Sequence, residues 1–283
     1  MHHRISGFLL LIGALAVALT ASEPSQARRQ RAAADQPEIR SNAVLVLDEH
    51  NSTVLLARQA NVATPIASIT KLMTALVVLG AQQPLDEMLV ITDADHEHGR
   101  GAFSRLAVGT RLSRGDLLHV ALMSSENRAA HALGRNYPGG LSAFVAAMNA
   151  RAKSLGMRNA RFVDPTGLSS DNVASPDDLA KLVIAASHVP EIQRYSTDEV
   201  HAVRVGRRML EFRNTDLLVR NSAWNISVQK TGYITEAGKC LVMKALIRGR
   251  SIVIVLLDSY GKYTRVADAQ RIRKWLEASP AKS

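Results

Sequence analysis

The spacing of apolar residues changes twice along this chain. Ala43-Val-Leu-Val-Leu47 and Thr53-Val-Leu-Leu-Ala57 are short apolar runs, partly β-branched, and Asp48-Glu-His-Asn-Ser52 between them supplies turn formers, which predicts a β-hairpin. From Ser68 to about Ser187 the period becomes helical, with alanine- and leucine-rich segments at 68–79, 114–123, 127–135, 141–155 and 176–186. Strand character returns at 227–234, 240–247 and 251–257, the last two joined by Arg248-Gly-Arg250. A final helix is expected over 268–278, where Ile272, Trp275 and Leu276 make an apolar stripe suited to packing on a sheet. Strands at both ends with helices between them predict an α+β fold: an antiparallel sheet flanked by helices, with a helical lobe (about 68–187) inserted in the sheet lobe. Such an arrangement leaves a cleft between the lobes.

The N-terminus reads differently. His2, His3 and Arg4 precede an apolar core at 8–19, and small residues Ser25 and Ala27 follow, the pattern of an export signal over 1–27, with Ala21 a competing cleavage site. Residues 28–40 are rich in charge and alanine and read as a flexible lead-in, which leaves 41–279 as the folded domain. No other run approaches the roughly eighteen apolar residues a spanning helix needs, so the mature chain is expected to be soluble, exported and periplasmic, at most loosely associated with membrane or wall.

Composition narrows the classes. With 47% hydrophobic and 21% charged residues the 283-residue chain is neither fibrous nor low-complexity. Its net charge of +10 raises nucleic acid as a partner, yet aromatics are only 4% and no stacking platform or recognition motif accompanies the basic residues. An anionic wall polymer or membrane surface accounts for the charge as well, and so does scattered solvated charge. The single cysteine, Cys240, excludes an internal disulfide and a Cys-rich zinc site, and its apolar neighbours make it a buried thiol. Asp93-Ala-Asp-His-Glu-His98 invites a metal reading. Gly99 comes one place late for a calcium loop, no Glu stands at the twelfth position and His-Glu-x-x-His is absent, so a polar surface loop with no metal or cofactor is expected. His119 and His131, on helical segments, read as packing or surface residues.

Acyl transfer by a serine needs a nucleophile, a base within reach and donors for the oxyanion. Ser68-Ile-Thr-Lys71 offers the first two on one helical face, with Pro65 upstream fitting a helix start and the first turn's free N–H groups favouring negative charge. Ser-x-x-Lys also occurs at Ser227/Lys230, Ser259/Lys262 and Ser279/Lys282. The first lies in a predicted strand, where such positions face opposite sides, and the others contain Gly261 and Pro280. Lys230-Thr-Gly232 lies at a strand, where Lys230 can hold a carboxylate and Thr231 can donate to it. Two segments compete for a third element. Ser170-Asp-Asn172 sits in a turn-rich loop that it would shape or cap. Ser125-Glu-Asn127 falls between two helical segments at the lobe's edge, where Ser125 could meet the nucleophile across the cleft or simply cap a helix.

Ser-x-x-Lys, a Ser-Asp-Asn-type element and Lys-Thr-Gly are the set shared by class A β-lactamases and penicillin-binding proteins. On these motifs, and on Leu118-His-Val-Ala-Leu-Met-Ser-Ser-Glu-Asn-Arg-Ala-Ala130 and Phe162-Val-Asp-Pro-Thr-Gly-Leu168, the chain resembles low-molecular-mass serine penicillin-binding proteins of peptidase S11 type, most closely the D-alanyl-D-alanine endopeptidases similar to penicillin-binding protein 7. The resemblance implies a β-lactamase/DD-transpeptidase-like fold and a middle motif Ser-x-Asn, hence Ser125 and Asn127. It implies that Ser68 attacks a D-alanyl carbonyl, Lys71 takes its proton and Ser125 relays a proton to the leaving amine. Asn127 orients the acyl side, Lys230, Thr231 and Gly232 bind substrate, and the backbone N–H groups of Ser68 and Tyr233 form the oxyanion hole. Peptidoglycan stem peptides are then the substrate and β-lactams the covalent inhibitors. The chain ends soon after the last predicted helix, without the C-terminal β domain and anchor of many carboxypeptidases, which favours the endopeptidase branch. A carboxypeptidase is the near alternative. A serine β-lactamase or a non-catalytic wall-binding protein is more distant.

Overall fold

In the computed structural model the main sheet has the strand order Thr53–Arg58, Ser41–Asp48, Arg250–Ser259, Gly238–Ile247, Asn225–Ile234, all neighbours antiparallel, so it joins the first strands of the fold to the last. The structure describes residues 36–95 and 104–278, and those from Pro37 onward form one compact unit. The export signal at 1–27, most of the lead-in, His96 to His98, and the Ser279/Lys282 pair lie outside the described residues.

Along the chain, β1 (Ser41–Asp48) and β2 (Thr53–Arg58) form the opening hairpin, and β3 (Thr64–Pro65) pairs with a distant two-residue strand. A 3-10 turn, Ala67–Ile69, runs into α1 (Thr70–Gly80). Ser68 therefore sits in that turn rather than in an α-helix, and Pro65 belongs to β3, where a two-residue edge pairing tolerates its missing N–H. The small pair β4 (Met88–Val90) and β5 (Arg111–Ser113) leads to α2 (Arg114–Met123), α3 (Asn127–Arg135) and α4 (Gly140–Ser154). Strand β6 (Val173–Ala174) returns to β3 and precedes α5 (Pro176–Ala186). Ser175 starts α5 with a capping box to Asp178, and Pro176 supplies a preset φ at the first helical position.

The sequence reading leaves 188–226 empty. The structure has α6 (Pro190–Thr197) and a separate hairpin there, β7 (Val200–Val205) with β8 (Arg208–Arg213). The sheet then resumes with β9 (Asn225–Ile234), β10 (Gly238–Ile247) and β11 (Arg250–Ser259), and α7 (Thr264–Ala278) closes the fold.

Both faces of the sheet are covered, which is why β10 and β11 read as near-continuous apolar runs. One face packs Val228, Val242, Val255 and Leu45 against the helical lobe; the other packs Met243, Ile254 and Val46 under Ile272 and Leu276 of α7. Helix α1 is buried on all sides from Thr70 to Val78, so each polar residue on it must find a partner inside. Thr70 donates to the Ala67 carbonyl and Thr74 to the Pro165 carbonyl. Lys71 is the remaining one.

Candidate active site

Lys71 is 1% exposed, and its Nζ lies 2.9 Å from Ser68 Oγ, 2.8 Å from Asn127 Oδ1 and 2.7 Å from the Thr166 carbonyl. As an ammonium it donates to all three. The amide oxygen and the carbonyl accept only, so a neutral amine keeps two N–H bonds for them and turns its lone pair to the Ser68 hydroxyl. The arrangement thus aims a proton acceptor at the hydroxyl on α1's leading turn.

Two close approaches build the turn that carries Ser68. Ala67 sits at φ +48°, a left-handed conformation that costs a non-glycine residue roughly 1–3 kcal/mol. Gly167 packs so tightly on it that a Cβ there would fall 1.9 Å from the Ala67 carbonyl oxygen, and Gly167 itself has φ +81°. From the other side Gly232 closes in: a Cβ on it would meet Ile66 O at 3.0 Å, Ala67 Cβ at 3.1 Å and Ser68 N at 3.2 Å. Strand β9 at Lys230-Thr-Gly therefore runs directly beside the nucleophile's backbone N–H, and Tyr233 follows in the same strand. The loop bearing Gly167 is organised by Asp164, whose carboxylate accepts from the N–H groups of Thr166, Gly167 and Ser169 and from the side chains of Thr166 and Asn172. Asn172 of Ser170-Asp-Asn172 is buried in that loop and also accepts from Val163 N–H. Its contacts are those of a loop-shaping residue.

Across the cleft, Ser125 occupies the junction of α2 and α3 at φ +63°, a second strained non-glycine position. Asn127, which contacts Lys71, lies two residues further on. Thr215 ties this wall to the sheet: its N–H donates to the Met123 carbonyl at 3.1 Å and its hydroxyl bonds Thr231 Oγ1 at 2.6 Å. Ser68, Lys71 and Asn127 thus meet directly, Gly232 abuts the nucleophile's turn, and Thr231 reaches the Ser125 wall through Thr215. No contact between Ser125 and Ser68 themselves joins the two walls among these bonds.

Lys230 is fully buried, with Nζ donating to the Thr231 carbonyl at 2.9 Å. Burial pushes its ammonium well below the ordinary range, and the charges of Lys71 and Arg265 push it further, against an opposing pull from Asp216. Burial likewise lowers Arg265, which donates to the Gly232 carbonyl at 3.3 Å, and raises the Asp216 carboxyl. Sequence reasoning missed Arg265, Thr215 and Thr166. Arg265 lies between the last predicted strand and the final predicted helix, in a stretch given no element, and Thr166 acts through a carbonyl, which has no side-chain signature.

A family match decides what this constellation belongs to. The Peptidase S11 family, described as D-alanyl-D-alanine carboxypeptidase, matches residues 30–261. The chain belongs to the peptidase S11 family. It is 47% identical to the D-alanyl-D-alanine endopeptidase of Pseudomonas aeruginosa, covering 98% of this chain and 89% of that one. It is 45% identical to the D-alanyl-D-alanine endopeptidase of Escherichia coli, covering 95% and 89%. The crystal structure of the Streptomyces K15 DD-transpeptidase superposes with a TM-score of 0.79 at 25% identity, over 85% of this chain and 98% of that one. This S11 protein therefore has the DD-transpeptidase type of α+β fold and is a serine-type DD-peptidase.

The remaining motifs lie outside the cleft chemistry. Cys240 is buried, its thiol pushed up to about 11 by burial. Asp95 of the acidic loop is fully buried and bonds His131, Arg135 and Thr92, so it is spent on holding α3. His119 is stacked between Tyr195 and His201 at ring distances of 4.4 and 3.9 Å. Among the described residues no helix is long and apolar enough to cross a membrane.

Proposed function

We propose that this chain is an exported, periplasmic endopeptidase that hydrolyses D-alanyl cross-links of peptidoglycan through an acyl-enzyme on Ser68, and that β-lactams acylate the same serine. The observation that carries this reading is the position of Lys71 Nζ between Ser68 Oγ and two groups that can only accept. Ser68 Oγ adds to the D-alanyl carbonyl carbon as its proton passes to Lys71. The oxyanion forms beside the backbone N–H groups of Ser68 and Tyr233. When the C–N bond breaks, the leaving amine takes a proton through Ser125, and water then hydrolyses the ester and restores Ser68. Asn127 holds Lys71 and orients the acyl-side amide. A substrate carboxylate at Lys230, Thr231 and Gly232 adds an anion beside the buried lysine, with Arg265 close behind.

The endopeptidase assignment rests on the two relatives above 40% identity, both D-alanyl-D-alanine endopeptidases, whereas the carboxypeptidases DacD and DacC of Escherichia coli are each 26% identical. Carboxypeptidase cleavage of a terminal D-alanine is the second reading, since the same chemistry serves both. A β-lactamase needs a base for deacylation. The nearby carboxylate, Glu126, makes no hydrogen bond to Ser68 among the described residues: its Oε1 is held by donors from Ser104, Arg105 and Leu106, and its Oε2 is buried without a partner. Digestion of purified cross-linked dimers and of pentapeptide monomers, with wild type and Ser68→Ala, followed by mass analysis, tests the reading. Wild type should release monomers from dimers and Ser68→Ala should not; unchanged dimers with shortened pentapeptides would make the chain a carboxypeptidase.

A further inference from the structure

Between the α2–α3 junction and the β7–β8 hairpin lies a cavity of about 490 Å3, lined by Arg105, Ser125, Glu126, Glu211, Phe212 and Arg213. It opens beside Ser125, on the wall of the cleft that carries Asn127. Nothing in the reaction described above uses it.

Arg105 is pinned there at both ends. Its backbone N–H donates to Glu126 Oε1 at 3.0 Å, the oxygen that also receives Leu106 N–H at 3.2 Å and the Ser104 hydroxyl. Glu126 is 4% exposed, so this three-donor knot is a buried anchor. At the other end the guanidinium lies 4.9 Å over the Phe212 ring, and one of its amino groups donates to the Glu211 carbonyl at 2.6 Å. The Glu211 carboxylate turns instead to Arg213, 2.6 Å away. Among the described residues the Arg105 guanidinium makes no salt bridge, although Glu126 and Glu211 line the same cavity. It is a cation held in place, with N–H groups to spare and a planar fork that matches a carboxylate.

A side chain already fixed at both ends has given up its rotamer entropy before a ligand arrives, which is the condition for tight, geometry-selective binding. We propose that this cavity is a second carboxylate subsite of the cleft and that Arg105 is its specificity-determining residue. It grips a stem-peptide carboxylate other than the one at Lys230 and Thr231. The inference rests on the DD-peptidase reading and adds to it a requirement for a second anionic group on the substrate, borne by the strand that acylates Ser68 or by the strand that leaves.

The test uses the folded chain on cross-linked dimeric muropeptides, either native or amidated at the free carboxylates of one strand or the other. Arg105→Ala should raise KM about tenfold to a hundredfold, the usual worth of a charge-assisted bond, with kcat within about threefold. Arg105→Lys should recover part of the loss. Lys274→Ala, which removes a positive charge from the exposed side of α7 outside the cavity, should leave KM at the wild-type value. Amidation of one strand should raise the wild-type KM to the Arg105→Ala level and add nothing to Arg105→Ala, and that strand is the one Arg105 holds. Equal KM values for Arg105→Ala and wild type, an equal loss in Lys274→Ala, or amidation losses that add to those of Arg105→Ala would each overturn the subsite. Wild type that neither cleaves dimers nor is labelled by penicillin overturns the parent reading and the inference with it. Wild type that does both, beside an unaffected Arg105→Ala, overturns the inference alone.

Discussion

Substituting Lys71 separates the roles a buried lysine can play beside a nucleophile. Lys71→Ala removes the acceptor, and Lys71→Arg keeps the positive charge but cannot take a proton. Both are expected to slow penicillin acylation by about a thousandfold, read as the rate of covalent adduct formation by intact mass. Rapid labelling of Lys71→Arg would make the group an electrostatic support instead of a base. The Ser68 turn makes a second demand at this scale. Gly167→Ala must place a Cβ where the Ala67 carbonyl oxygen already stands, so it should cost about 2–4 kcal/mol in urea unfolding and slow acylation, because the strain relaxes through Ala67 into Ser68. The contact of Lys71 with Ser68 was legible because both side chains stand at a fixed local spacing. Thr166 was not: it lies 95 residues from Lys71 and contributes only a backbone oxygen. Only the fold brings such a group to the site, and no local pattern announces it.

Elements were legible where an apolar or helix-forming composition runs unbroken along them. Strands β10 and β11, continuous apolar runs covered on both faces, and the alanine- and leucine-rich helices α2 to α5 were read within a few residues of their observed ends. The β7–β8 hairpin was not, because its inward residues are few, Val203 and Phe212 among them, and arginines at 204, 207, 208 and 213 interrupt the alternation. The hairpin nevertheless forms a cleft wall, so the least legible segment carries the proposed subsite. Between elements, Asp95 pins α3 to the segment after β4. Burial alone would raise its carboxyl, but the bonds from His131, Arg135 and Thr92 hold it well below the usual carboxylate range. The folded state therefore binds fewer protons than the unfolded chain, and the stability this provides is whole above the unfolded value of about 4 and drains away as pH falls below it. Asp95→Asn should lose about 3 kcal/mol at pH 7 by urea unfolding, with the gap to wild type closing between about pH 4 and pH 2. A gap that stays constant over that range would mean that the carboxylate's charge contributes nothing.

At the scale of the whole molecule, the net charge of +10 is a property no single contact explains. Part of it lines the cleft as Lys230, Arg265, Arg105 and Arg213, and more is spread over the exposed hairpin at Arg204, Arg207 and Arg208. If the substrate is a polymer whose stem peptides carry repeated carboxylates, the field of this surface is expected to raise its local concentration before any bond forms. Exposed charges are screened beyond a Debye length, about 10 Å at 0.1 M salt, whereas the buried contacts of Lys71 are screened far less. Capture and chemistry should therefore respond differently to ionic strength. Between about 0.02 and 0.5 M salt, kcat/KM on intact peptidoglycan should fall about tenfold or more while penicillin acylation of Ser68 changes less than about twofold. Arg204→Glu combined with Arg207→Glu, two exposed positions outside the cavity, should flatten the first dependence and leave the second untouched. If polymer hydrolysis is as insensitive to salt as acylation, the positive surface is solvated charge with no part in capture, and substrate is drawn in by the cleft alone.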